Sequence, residues 1–211
     1  MSKPVRARQI KQPRAQRTRS EILKAAIELF ARRGILATTM SELAKAIGMT
    51  PGALYWHFPT KEDLLLAAIA ELHQHYVSDW GPELVANRKL SATEQLAAFM
   101  RRIQRFLGSR PEHGIFFGQL GSEAAEGNER VAQALRDALD TYIEALASVI
   151  AYGQRKTKEF RDDVDPKTLA SSILFSNVGI AVHQNLFRLT LSYDPLVTTL
   201  HQVVLDGVRR K

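Results

Sequence analysis

The sequence predicts an all-α protein of about nine helices. An N-terminal three-helix unit holding a helix-turn-helix precedes a larger helical domain. Three observations carry this. Apolar residues recur at spacings of three and four along most of the 211 residues. The breaks between those runs hold helix-start signals: Thr39 with Glu42, Ser91 with Glu94, Asp165-Pro166 and Asp194-Pro195. No strand-like alternation exceeds four residues, and no repeat is found beyond the recurrent Asp-Pro start.

Composition sets the outer bounds. With 45% apolar residues the chain can bury a core for one small and one medium domain. No run of eighteen apolar residues occurs, so no transmembrane helix is expected. The N-terminus lacks the apolar stretch of a signal peptide. Cysteine is absent, which excludes disulfides, thiol catalysis and cysteine-based zinc sites. These features predict a cytoplasmic protein with no membrane partner. The net charge of +7 is uneven: seven of the 29 basic residues, and no acid, lie in residues 1–19, so the rest balances 22 against 22. Residues 1–17 therefore read as a disordered basic arm. Such an arm either solubilises the chain or reaches for phosphates or a minor groove.

Thr18 with Glu21 offers a cap for the first helix, and Ile22, Ala26, Leu29 and Phe30 form its stripe, widened by Leu23 and Ile27. Gly34 closes it. Thr39 and Glu42 then have capping-box spacing, and Leu43, Ala44 and Ile47 give the second helix one apolar face. Gly48 ends that helix, since glycine takes the left-handed backbone without strain. Thr50 caps a third helix with Pro51 in its first turn. Pro59 stops it, and Thr60 with Asp63 caps the next. Helix, tight turn, helix is the helix-turn-helix layout, and residues 18–64 are assigned to it.

The outer face of the third helix points to a ligand. At about 100° per residue, Pro51, Leu54 and Phe58 face inward. Gly52, Ala53 and Trp56 face outward, with Tyr55 and His57 on the flanks. Gly52 and Ala53 let a backbone approach a groove floor, where the Ala53 methyl suits a thymine methyl. Tyr55, His57 and Lys61 carry donors for phosphate oxygens. The competing reading is that Tyr55 and Trp56 are packed.

A fourth helix runs from Thr60 to about Trp80, closed by Gly81-Pro82, with a connector over 81–92. Its His73 and His75 point to different faces and make poor metal partners. Ser91 with Glu94 opens a fifth helix to about Leu107. Pro111–Gly121 holds three glycines and reads as a weak helix, irregular or mobile. Asn128 begins a long helix to about Arg155, and residues 156–164 form a charged loop. Asp165-Pro166 opens an eighth helix to about Thr190, and Asp194-Pro195 a ninth to about Val208. Residues 65–211 make up this second domain.

The segment from Arg19 to about Ala68 resembles the DNA-binding domain of TetR-family transcriptional regulators. The carrying residues are Ile22–Phe30, Gly34, Thr38-Thr39, Leu43-Ala44, Gly48, Gly52 to Tyr55, His57-Phe58 and Lys61 to Leu64. The resemblance covers about a quarter of the chain. It implies a reading surface of Thr39, Ser41, Thr50, Gly52, Ala53, Tyr55, Trp56, His57 and Lys61. In it Tyr55, His57 and Lys61 anchor phosphates, while Ser41 and Gly52-Ala53 face bases of a double-stranded, palindromic operator.

The last two helices carry apolar residues around most of their circumference, which fits either a core within one chain or an isologous dimer. The resemblance implies a homodimer through a four-helix interface, with Val178, Val182, Leu186, Leu196, Leu200, Val203 and Val204 as candidates. It also implies a regulatory pocket for a small, largely apolar effector within helices five to eight. Candidate lining residues are Phe99, Ile103, Phe106, Phe117, Gln119, Tyr142, Leu146, Phe175, Asn177 and His183. Gln119, Asn177 and His183 stand out, because buried polar groups need partners and a ligand can supply them. No Ser-His-acid spacing, phosphate-cradling loop, His-Glu-x-x-His or paired-carboxylate pattern occurs. The expectation is a ligand-released repressor, neither enzyme nor metalloprotein, with no cofactor. An architectural or protein-regulated DNA binder without a small-molecule effector is the alternative.

Overall fold

The structure, a computed structural model, describes residues 11–86, 89–124, 127–183 and 192–210. Among these the chain forms nine α-helices: α1 (Lys11–Arg33), α2 (Met40–Ala46), α3 (Pro51–His57), α4 (Lys61–Ala86), α5 (Ala92–Ser109), α6 (Pro111–Gln119), α7 (Glu129–Arg155), α8 (Pro166–His183) and α9 (Tyr193–Val208). A π-helical turn, Leu120–Ala124, follows α6. The all-α class is as expected. The only β-type pairing among the described residues is one isolated bridge between Phe160 and Arg209.

Local capping chemistry explains several starts. The Thr39–Glu42 and Ser91–Glu94 capping boxes are both complete. Thr50 accepts the Ala53 N–H with Pro51 in the first turn of α3. Asp63 accepts the Thr60 N–H while the Thr60 hydroxyl takes the Asp63 N–H. Asn128 caps α7, and Asp165 accepts the Thr168 N–H at 2.7 Å. Gly34 and Gly48 end their helices at φ of +89° and +69°, where a side chain would be strained.

Four boundaries differ from the sequence reading. Helix α1 begins at Lys11, so Thr18 lies inside it and residues 11–17 are helical. Helix α4 runs through Gly81-Pro82 to Ala86, so residues 81–86 of the expected connector are helical. A proline removes one N–H bond and crowds one carbonyl, which packing of α4 on α5 and α7 overrides. Helix α9 begins at Tyr193 after Ser192, so Asp194 is not its cap; its carboxylate instead accepts Gln104 Nε2 at 3.3 Å. The glycine-rich α6 is a regular helix through Gln119 and turns irregular only at the π turn.

Those glycines serve close packing. A Cβ on Gly114 would sit 2.8 Å from the Ala181 methyl, and one on Gly118 would sit 2.5 Å from Val182 Cγ2. Helix α6 therefore lies tight on α8 while its other side packs on α1. It joins the N-terminal head to the C-terminal body. One continuous core runs through both, from Ile22, Phe30, Leu43 and Leu54 through Leu72 to Phe99, Phe116, Leu146 and Ile173.

Candidate nucleic-acid interface

The head presents α3 outward. Leu54 and Phe58 are fully buried in the core, where α3 packs on α2. Trp56 is 74% exposed and Tyr55 46%, which overturns the reading that they are packed. Gly52 is exposed, with nothing within 4 Å of where a Cβ would be, and Ala53 is half-buried beside it. Pro51, expected to face inward, is exposed, because it sits at the helix start outside the Leu54–Phe58 stripe. The Trp56 and His57 rings meet edge to face at 4.7 Å. Thr39, Ser41 and Thr50 are exposed at the N-terminal ends of α2 and α3, where helix dipoles favour anions.

Two basic residues shape this head from behind. Arg19 Nη1 donates to the His57 carbonyl at 3.2 Å, and its guanidinium lies 4.2 Å from the Phe58 ring centroid. It thereby closes the C-terminal end of α3. The pairing spans 38 residues and left no local sign in the sequence, where Arg19 counted only toward the basic excess of residues 1–19. Lys61 is turned inward: its Nζ donates to the Ile35 carbonyl and lies 5.9 Å from the Phe30 ring centroid. Burial lowers its pKa, partly offset by Glu123 and Glu42. Of its three N–H donors, one is thus committed to the α1–α2 turn.

The ten pocket candidates do not line one cavity. Phe99, Ile103, Phe117 and Leu146 are buried in the continuous core. Tyr142 is buried as well, its hydroxyl 3.0 Å from His73 Nδ1, and burial raises its pKa. Asn177 is committed within the protein: its Nδ2 donates to the Ile173 carbonyl at 2.7 Å and its Oδ1 lies 3.2 Å from His201 Nε2. Burial lowers the His201 pKa to about 4, so the ring is neutral. Phe175 is 52% exposed and His183 is also exposed, both on the side of α8 opposite its buried Ile173, Leu174 and Asn177. Gln119 borders a cleft of about 730 Å³ between α1, α6 and α8, with its Oε1 buried and without a hydrogen-bond partner. Phe106 borders a different cleft, of about 460 Å³, with arginines from α5.

The dimer candidates divide similarly. Val203 is 65% exposed on α9, while Leu196, Leu200 and Val204 are half-buried. Val182 and Val178 pack within the chain against Gly118. Leu186 lies outside the described residues. Among the described residues no group of three or more His, Asp or Glu could hold a metal ion. No described helix is long and apolar enough to cross a membrane.

A helix-turn-helix head carried on a long helix that enters an all-helical body is the architecture of a helix-turn-helix regulator. Residues 22–68 match the family described as bacterial regulatory proteins, tetR family, and residues 92–200 match the tetracyclin repressor-like C-terminal domain. The chain belongs to the TetR family. It is 45% identical to the HTH-type transcriptional regulator AcrR of Shigella flexneri over 73 residues, 35% of this chain and 33% of AcrR. The match thus spans about a third of that relative. The MbdR regulator from Azoarcus sp. CIB shares the fold with a TM-score of 0.79 at 24% identity, over 90% of this chain and 98% of that one. FadR from Bacillus subtilis, in complex with stearoyl-CoA, shares it with a TM-score of 0.73 at 19% identity, over 90% and 99%.

Proposed function

We propose that this protein is a sequence-specific DNA-binding repressor, not an enzyme. It acts in the cytoplasm as a homodimer on a palindromic operator. It leaves the operator when a small, largely apolar organic molecule binds its C-terminal domain. The outer face of α3 carries this reading. Gly52 and Ala53 let the helix approach base edges, with Tyr55, Trp56 and His57 projecting beside them. Thr39, Ser41 and Thr50 at the helix N-termini suit backbone phosphates. Lys61 retains donors for another, and the basic residues of the N-terminal arm add affinity without sequence preference.

The body supports the rest of the reading. Phe175 and Val203 are large apolar side chains exposed on α8 and α9, the two helices that would pair with a second copy. The stearoyl-CoA complex of FadR supports an effector with an apolar part. In vitro selection of bound DNA tests the proposal. A palindrome is expected, with half-sites about one helical turn, 34–36 Å, or a multiple apart. Enrichment of no sequence at all would refute it.

A further inference from the structure

The cleft bordered by Phe106 has a charge pattern that the apolar reading does not account for. It measures about 460 Å³ and lies where α4, α5 and the start of α6 meet. This is within the usual size of a small-molecule site. Arg102, Arg105 and Phe106 share one face of α5 at i, i+3 and i+4, and Arg110 stands at the α5–α6 corner. His75 and His113 complete the wall, and among the described residues no acid lines it. Helix α6 starts at this corner without a side-chain cap.

His113 supplies a second, independent observation. It is 5% exposed, and its Nδ1 is buried with no hydrogen-bond partner. Such a group is costly to leave unpaired, and a bound ligand can supply its partner. Its ring lies 5.0 Å from that of Phe106. Burial, then the positive charges of Arg110 and His75, lower its pKa to about 4. Glu112 Oε1 lies 4.0 Å from His113 Nε2, but the positive charges outweigh it at this ring, with Phe106 as an apolar floor. A second cleft, of about 320 Å³, shares His75, Arg110 and His113 and opens toward α1, where Arg17, paired with Glu21, and Lys24 line it together with Glu71 of α4. The site thus lies at the junction of head and body.

We infer that this cleft binds an organic anion, its carboxylate or phosphate held by Arg105 and Arg110, its apolar part against Phe106, and His113 Nδ1 as a hydrogen-bond donor. The inference rests on the effector reading above and adds the charge of the ligand. Resonance and five fixed donors make a guanidinium suited to either acid group.

Calorimetry on the full chain tests it with four probes: 2-naphthoate, 2-naphthyl phosphate, neutral 2-naphthol and inorganic phosphate. Both naphthyl anions are expected to bind at least ~10-fold tighter than naphthol, the margin of one charge-assisted contact. Naphthyl phosphate should also exceed inorganic phosphate, because Phe106 contacts only the ester. The exposed pair Arg105→Gln and Arg110→Gln should lose ~10-fold or more for the anions and nothing for naphthol. On binding naphthoate, the His113 imidazole pKa, followed by NMR, should rise. Naphthol binding as tightly as naphthoate, or anion affinity unmoved in the double variant, would overturn the site. Inorganic phosphate binding as tightly as its naphthyl ester would overturn the Phe106 contact. Release of the selected operator is read separately by anisotropy. Anion binding without release leaves this site standing and removes the effector reading. Release by naphthol, undiminished in the double variant, keeps the effector reading and removes this site.

Discussion

The Glu123 carboxylate accepts the backbone N–H of Leu36 at 2.8 Å, across 87 residues of chain. Glu123 stands on the π turn that ends α6, and Leu36 lies in the turn between α1 and α2. The same turn offers the Ile35 carbonyl to Lys61, and Glu123 raises the Lys61 pKa against the lowering by burial. One carboxylate of the body thus holds the hinge of the head. Asn128 and Arg130, at the start of α7, make a second link by donating to Glu62 of α4. Glu123, at the end of α6, is thus in direct contact with the turn that leads into α2.

Removing the first link should loosen the head locally. In Glu123→Ala the Leu36 amide should exchange with solvent ~5–10-fold faster, the value of one ordinary hydrogen bond at an exposed site. The factor by which effector weakens operator binding should fall as well, and by reciprocity the operator's effect on effector affinity falls equally. Titrating effector with and without operator measures it. A coupling factor equal to wild type would exclude Glu123 from the relay.

Gly52→Ala separates folding from recognition. An added methyl meets nothing within 4 Å in the protein, and alanine favours a helix over glycine by up to about 1 kcal/mol. The variant should melt at the same temperature or slightly higher. Its operator affinity should nonetheless fall ~10-fold, because the methyl occupies the gap between backbone and groove floor. Equal operator affinity would show that α3 does not approach the bases at this end.

Gly118→Ala should act through α8. The new methyl would meet Val182 Cγ2 at 2.5 Å, so α6 must lift or Val182 must turn. Overpacking of this kind costs about 1–3 kcal/mol. Val182→Ala should restore most of the loss, and thermal melts of the double-mutant cycle would measure the coupling. Additive losses in that cycle would place the strain elsewhere.

Most features written within three or four residues were legible in the sequence, the Thr18–Glu21 and Asp194-Pro195 starts excepted. The Thr39–Glu42 and Ser91–Glu94 boxes and the Thr50-Pro51 start are i to i+3 patterns, and each was found where it was read. The exposed face of α3 followed from the spacing of Leu54 and Phe58. Contacts closed over 38 or 87 residues, Arg19 on His57 and Glu123 on Leu36, have no local sign. Helix α8 is apolar nearly all round, so periodicity could not tell its inner from its outer side, and Phe175 was assigned inward. The stripe of Arg102, Arg105 and Phe106 was visible, but a charged stripe on a helix reads as a solvated face. Only the turn into α6 brings Arg110 and His113 against it.

Glu159 predicts an acid limit to stability. Burial raises its pKa, but the Thr93 hydroxyl at 2.7 Å, the Thr93 and Ala92 N–H groups and Thr157 outweigh this and hold it at about 2. The folded pKa lies below the unfolded one, so the stabilisation is full above the unfolded carboxylate range. It is lost as the pH falls from about 4.5 toward 2. The group is largely solvent-screened, so its share is about 1–2 kcal/mol. Glu159→Gln should lower stability by about that amount at pH 7 and flatten the loss between pH 4.5 and 2. Denaturant melts across that range would show it; parallel curves for the two proteins would assign the acid limit to other groups.

Val203→Glu tests the dimer without endangering the monomer fold. Val203 is 65% exposed, so in a single chain the new carboxylate stays in water and costs little. In a pair joined through α8 and α9 the same charge would be buried twice across the two-fold axis, without a partner. The expected result is a folded monomer: unchanged helical signal, half the mass in sedimentation, and a melting temperature that no longer rises with concentration. Phe175→Glu, on the exposed side of α8, should behave alike. Two heads that are no longer joined must each bind a half-site alone, so affinity for the full palindrome should fall by ~10²–10⁴ while affinity for an isolated half-site is retained. A variant that sediments as a dimer with the wild-type operator affinity would place the interface on another face of the body.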